Sequence, residues 1–248
     1  MKIWNLVFKG ADEKQEEYLR KVYNELKFLG LDENREPIDI FLEPDISKGE
    51  SIFHKSAIDI TKIPDWQKGK IDAGSIYKTR AKFYIETHPN KIIIYGKPLN
   101  YHLRLGVTDI LQYLTDDFIF LHASSVSDGE SATLLAGKTR CGKTRKCLEM
   151  LKQGYKILSE DVSIVDKKFS KVYPYNADAP VSANDIELFN LSYIDYAGGD
   201  RWIVPLKKHF QHDDKPRKIG DIISIDGTTL EESILKYRNW AEEVISGK

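Results

Sequence analysis

The sequence predicts an α/β protein, and three observations carry that reading. Short β-rich runs are interspersed with amphipathic stretches. Two apolar runs in AKFYIETHPNKIIIYG flank His88-Pro89-Asn90 as a hairpin. SATLLAGKTRCGKTRKCLEML, from Ser131 to Leu151, reads as strand, glycine-bearing loop and helix.

KIWNLVF (Lys2 to Phe8) has the pattern of a strand. After Asp12, the residues Leu19, Val22, Tyr23, Leu26 and Phe28 recur at helical spacing, and Gly30 follows as a stop. IDIFLE is a second strand. Residues 44–80, polar and broken by Pro64, Gly69 and Gly74, read as loops with short strands. Beyond the hairpin, Leu103, Val107, Ile110, Leu111 and Leu114 mark a helix from Leu99 to Leu114.

A boundary is placed near residue 115, giving an N-terminal α+β region (1–115) and a second part (116–248). FIFLHAS (Phe118 to Ser124) is a buried strand, joined by the Asp128-Gly129 turn to the strand SATLLAG. The helix Thr144 to Gln153 is closed by Gly154. YKILSED, VSIVD, KVYPY and IISID supply further strands, with a loop-rich stretch between the last two. The tail LEESILKYRNWAEEVI is a terminal helix, offering Leu235, Trp240 and Val244 for docking within the chain or in a homo-oligomer.

Composition narrows the function classes. Lys+Arg (37) and Asp+Glu (38) almost cancel, leaving a net charge of -1, so nucleic acid is not an expected partner. No apolar run approaches the ~20 residues of a membrane span, and MKIWNLVFKGADEKQEE lacks the core of a signal peptide. Two cysteines, Cys141 and Cys147, make neither a disulfide framework nor a closed zinc site. A cytoplasmic protein without membrane partners is expected.

Gly137, Gly142, Lys143 and Thr144 fit G-x-x-x-x-G-K-[ST] between a strand and a helix, the context that this phosphate loop requires. Such a loop turns consecutive N–H groups toward phosphate oxygens at a helix N-terminus. Gly137, Lys138, Thr139, Arg140, Cys141, Gly142, Lys143 and Thr144 are therefore the candidate nucleotide-binding residues. Lys143 would bridge the terminal phosphates and Thr144 would ligate Mg²⁺.

Phosphoryl transfer also needs an acid for the metal and a group that receives the nucleophile's proton. LSEDV supplies Glu160 and Asp161, 17 and 18 residues after Lys143, an interval that fits a helix and a return strand. Adjacent acids at a strand end are costly without a cation. Asp226 is the rival, but Asp226-Gly227 is a turn dipeptide. His122 closes the strand before the loop strand. AGGDRW reads as a plain turn, and KKHFQHDDKPRKIG as a solvated loop.

Taken together, LHASSV, LLAGKTRCGKT, GYKILSEDVSIV and KVYPY, between Leu121 and Tyr175, resemble the HPr kinase/phosphorylase family and its kinase-like relatives. The resemblance implies a P-loop-containing HPr kinase-like (PEP carboxykinase-like) domain over 116–248, with the N-terminal region helping to recognise the acceptor. It implies Mg-ATP as the donor and a hydroxyl on a protein, peptide or small molecule, above all a serine, as the acceptor. By it, Lys143 holds the transferring group, Thr144 and Glu160 serve Mg²⁺, Asp161 acts as base and His122 contacts the terminal phosphate. Which of Glu160 and Asp161 is base and which is metal ligand stays open. Arg140 stands at the family's middle glycine and Glu160 at its first aspartate; Arg201 and Arg217 are candidates for a later arginine. The competing classes are a nucleotide-binding regulatory module without turnover and a P-loop ATPase using Asp226.

Overall fold

The computed structural model describes residues 2–3, 5–30, 37–63, 66–71, 74–78, 84–96 and 100–234. They form an α/β chain of mixed sheets, in two compact units that divide after Leu114. Among the described residues no helix is long and apolar enough to cross a membrane.

In the first unit the single strand predicted over Lys2 to Phe8 is a tight hairpin, β1 (Lys2–Ile3) and β2 (Leu6–Lys9), with Ile3 opposite Leu6. Asn5, a turn former, precedes β2 and its carbonyl accepts from Ile38 N at 2.8 Å. Helix α1 (Glu13–Leu26) begins at a capping box in which Asp12 and Gln15 bond reciprocally. It buries Leu19, Val22 and Leu26. Phe28, predicted on the helix, lies in a 3₁₀ turn that Gly30 ends at φ 60°.

After β3 (Ile38–Glu43) comes a helix that the sequence did not announce, α2 (Ile46–Lys55). Mid-helix glycine costs about 1 kcal/mol against alanine. Gly49 is nevertheless required, because a Cβ there would lie 2.7 Å from Tyr95 Cβ and 2.9 Å from Tyr84 Cβ. Tertiary packing overrides propensity. The antiparallel strands β4 (Ala57–Ile63), β5 (Trp66–Ile71), β6 (Gly74–Lys78), β7 (Tyr84–His88) and β8 (Lys91–Tyr95) complete a sheet of order β1-β2-β3-β8-β7-β6-β5-β4. Helix α3 (Asn100–Leu114) buries all five apolar residues expected of it. Its Arg104 is buried too, donating to Tyr18 Oη (2.8 Å) and Glu25 Oε2 (2.7 Å) on α1.

The second unit opens with β9 (Phe118–Leu121) and β10 (Ala123–Ser127), where one strand over Phe118 to Ser124 was expected. There follow β11 (Ser131–Ala136), α4 (Lys143–Lys152), β12 (Lys156–Ser159), β13 (Ser163–Asp166) and β14 (Lys171–Tyr173). The stretch predicted as loop-rich holds β15 (Asp178–Ser182), α5 (Ala183–Phe189), β16 (Asp195–Gly198) and β17 (Arg201–Pro205), a small sheet of order β15-β17-β16. Pro180 is tolerated because β15 is an edge strand, which hid the strand from pattern reading. β18 (Arg217–Ser224) is longer than the IISID run that marked it.

The main sheet has the order β12-β10-β11-β18-β14-β13-β9. β9 is at one end of that order and β10 is next to the other, yet only His122 separates them in the chain. Consecutive Cα atoms are 3.8 Å apart, so the sheet must curl on itself. Ser163 Oγ on β13 donates to Ala123 O on β10 at 2.9 Å, tying the approaching edges together. Alternation then sorts the apolar residues onto two faces. Leu121, Ala123, Leu134, Leu158, Val165 and Val172 fill one cluster. Val126, Leu135 and Ile157 meet α4 and the small sheet in another.

Of the predicted terminal helix, Glu231–Ser233 forms one 3₁₀ turn. Residues 235–248, with Leu235, Trp240 and Val244, lie outside the described residues.

Candidate functional site

Strand directions gather the chemistry-bearing residues at one sheet edge. β10 is antiparallel to β11 and β12, while β18 is parallel to β11. The C-terminal ends of β11, β12 and β18 therefore share an edge with the start of β10. Just past those ends stand Gly137, the Glu160-Asp161 pair and Asp226. His122 stands just before β10.

The loop from Gly137 to Thr144 is held by its own atoms. Lys143 is buried, and its Nζ donates to Gly137 O (2.7 Å) and Lys138 O (3.0 Å). Gly142 precedes α4 at φ 105°. Gly137 has no room for a side chain, since a Cβ would lie 2.4 Å from Cys141 Sγ. Cys141 N donates to Lys138 O at 3.2 Å, closing a turn whose third residue is Arg140 at φ 68°. Arg140 thus adopts the left-handed backbone that a glycine takes freely, at a cost of about 1–2 kcal/mol for an L side chain. Lys138, Thr139 and Arg140 are exposed.

Asp226, the rival acid, is occupied as an anchor. Its Oδ2 accepts from Lys138 N (3.1 Å), and its Oδ1 from Thr228 Oγ1 (2.6 Å) and Thr228 N (3.2 Å). These bonds, the Thr228 hydroxyl's foremost, hold its carboxyl down at about 2.

Glu160 sits beneath the loop, 1% exposed. Its Oε1 accepts from Thr144 Oγ1 at 2.8 Å and from Ser124 Oγ at 3.0 Å. Oε2 is buried and has no hydrogen-bond partner among the described residues. Burial, and then the charge of Asp161, push the Glu160 carboxyl up to about 7; the Thr144 and Ser124 bonds and the Lys143 charge pull the other way. Behind it, a buried serine chain runs from Ser125 Oγ to Ser159 Oγ (2.6 Å) and on to Ser163 Oγ (3.0 Å), fixing β10, β12 and β13 together. Glu160 N donates to Asn176 O at 2.7 Å.

Asp161 is held in strain. Val162 N donates to Glu160 O at 2.8 Å around it, a γ-turn with Asp161 at φ 66°. Left-handed non-glycine residues cost energy and cluster at functional positions. His122 Nε2 lies 3.6 Å from Asp161 Oδ1, and His122 N donates to Ser233 O at 2.7 Å. The break between β9 and β10 thus turns this histidine toward the acid.

A hydroxyl and a carboxylate are hard oxygen donors of the kind Mg²⁺ accepts, sharing the ion with phosphate oxygens and water. The partnerless Oε2 of Glu160 fits such an ion, because a buried carboxylate oxygen without a donor is otherwise expensive. Among the described residues no three His, Cys, Asp or Glu side chains form a metal cage. Thr144 and Glu160 would therefore hold an ion only together with oxygens from a ligand or solvent.

No family model and no curated protein matches this chain.

The structure brings His122, Lys143, Thr144, Glu160 and Asp161 to one sheet edge. It gives the two arginine candidates other work. Arg217 forks onto the buried Asp213 at 2.6 and 2.9 Å, and Arg201 Nη1 donates to Pro180 O at 3.3 Å. The Lys207–Gly220 stretch, expected as a solvated loop, is pinned: Asp213 is 3% exposed, and His209 Nε2 meets Ser192 Oγ at 3.0 Å. AGGDRW contains the turn between β16 and β17, as expected. Sequence reasoning missed Ser124 and Asn176. The serine-rich run ASSVS beside His122 was the available signal for the first, and nothing local marked the second.

Proposed function

We propose that the unit from Thr115 onward is a P-loop kinase of the HPr kinase-like (PEP carboxykinase-like) class. It would transfer the γ-phosphoryl group of ATP, with Mg²⁺, to a hydroxyl, above all that of a serine in a protein, a peptide or a free small molecule. The observation that carries the reading is the 2.8 Å bond from Thr144 Oγ1 to Glu160 Oε1, which joins the phosphate loop to a buried acid that has an oxygen to spare.

The residues divide the work. Lys143 leaves its loop carbonyls for phosphate oxygens. Thr144 and Glu160 would hold the metal, which would neutralise charge on the phosphates. Asp161, partly exposed beside the buried Glu160, would orient the acceptor hydroxyl and take its proton. His122, 3.6 Å away, would steady that carboxylate and contact the terminal phosphate of the bound nucleotide. Catalysis by such a site is chiefly positioning and charge stabilisation.

Labelled ATP offered to serine, seryl peptides and cell extract tests the reading. Transfer to one acceptor, abolished by Lys143→Ala, is the expected result. Tight Mg-ATP binding with no transfer to any acceptor would support a regulatory module instead. Acceptor-independent hydrolysis would support an ATPase.

A further inference from the structure

Arg140 occupies a position that disfavours it, and no partner among the described residues explains its presence. It is the third residue of the turn from Lys138 to Cys141, at φ 68°, where glycine or asparagine is the usual occupant. Its side chain is exposed, and among the described residues it makes no hydrogen bond or ion pair. The other cation of the loop interior, Lys138, meets Asp226 Oδ2 through its backbone N–H at 3.1 Å. Lys143 is turned onto the loop carbonyls. Arg140 is thus the cation that holds a left-handed backbone at the crown of the loop without a side-chain partner among the described residues.

A guanidinium presents a planar fork that matches two phosphate oxygens at once, which an ammonium does not. We infer that Arg140 is a nucleotide-gripping residue, held by the left-handed turn at the crown so that its fork closes on the polyphosphate that the loop cradles. This rests on the nucleotide reading of the loop and adds to it a fourth element beside the backbone, Lys143 and Thr144. The rest of the fold bears the strain in the free protein, and the contact with the bound anion is the gain that an arginine brings there.

The test compares the full chain with Arg140→Gly and Arg140→Lys. Thermal unfolding is measured without ligand, and Mg-ATP binding by isothermal titration. Relief of strain should raise the Tm of Arg140→Gly by about 2 °C, while its affinity for Mg-ATP falls about tenfold. Arg140→Lys, which keeps the charge and loses the fork, should fall a few-fold without the gain in Tm. The opposite signs distinguish gripping from a structural role. A glycine variant that binds Mg-ATP as tightly as the parent, or that loses affinity and Tm together, overturns the inference and leaves the kinase reading standing. A parent chain that does not bind Mg-ATP overturns both.

Discussion

Thr144 and Glu160 are 16 residues apart, and their side chains meet at 2.8 Å as donor and acceptor. The bond ties the first turn of α4 to the end of β12 across the β10 strand that separates β12 from β11. It also leaves Glu160 with one satisfied and one partnerless oxygen. A hydroxyl from the Gly137–Thr144 loop beside a half-satisfied buried carboxylate is a poor structural bargain by itself. It becomes sensible once a hard cation shares the carboxylate.

Thr144→Val keeps the shape of the side chain and removes the donor. Glu160 then relies on Ser124 alone, and the ligand-free protein should lose about 1–2 kcal/mol in urea unfolding. Mg-ATP affinity should fall at least tenfold, with Thr144→Ser restoring most of it. Undiminished Mg-ATP affinity in the valine variant would remove Thr144 from the metal site.

The Glu160 carboxyl gives the ligand-free protein a pH signature. Its value is raised from the ordinary 4.5 to about 7, so between those pH values the folded chain holds a proton that the unfolded chain has released. The contribution of this group is fully present below pH 4.5 and is lost as pH rises through about 7. The amount is on the order of 3 kcal/mol. Glu160→Gln, neutral at every pH, should lack this decline and exceed the parent in stability at pH 8 without metal. Urea unfolding at pH 5, 6, 7 and 8 checks it; parallel curves for the two proteins would show that burial does not control this carboxyl.

How much was legible in the sequence follows from where the signals are local. The Gly137–Thr144 loop stands out as a candidate phosphate loop because glycine, lysine and threonine recur at fixed spacing in one segment, and the Glu160-Asp161 pair because two acids follow an apolar strand. Gly49 shows the opposite case. Its helix is invisible to propensity, and the reason for it is the closeness of Tyr84 and Tyr95, 35 and 46 positions away. Asp226 reads correctly as a turn residue, yet its bond to Lys138 N spans 88 positions and cannot be read from Asp-Gly-Thr. The curl of the sheet, which breaks FIFLHAS at His122 and turns that residue toward Asp161, depends on pairing partners that no single segment reveals.

Asp161 carries the expectation about turnover. Asp161→Asn should bind Mg-ATP within about threefold of the parent and cut transfer by about 10²–10⁴, the usual worth of a positioned general base. Asp161→Gly should do the same while raising stability slightly, because φ 66° suits glycine. Single-turnover transfer and thermal unfolding read both effects. Normal turnover in the asparagine variant would pass the base role to another group.

Gly137 and Cys141 allow the loop's packing to be measured without any ligand. A methyl group at 137 would lie 2.4 Å from Cys141 Sγ, but 3.3 Å from Asp226 Oδ1 and 3.5 Å from Ile225 Cβ. The sulfur is the severe clash, and the other two contacts need only small adjustments. Gly137→Ala should therefore cost about 1–3 kcal/mol, the usual range for overpacking. Cys141→Ala removes the half-buried sulfur at less cost, and in the double variant the two alanines should fit. The expected coupling energy is at least about 1 kcal/mol in favour of the pair, well above the error of additivity for independent sites. Urea unfolding of the four proteins measures it. Simple additivity would mean that the Asp226 anchor, and not the cysteine, sets the limit on residue 137, and Asp226→Asn should then relieve Gly137→Ala instead.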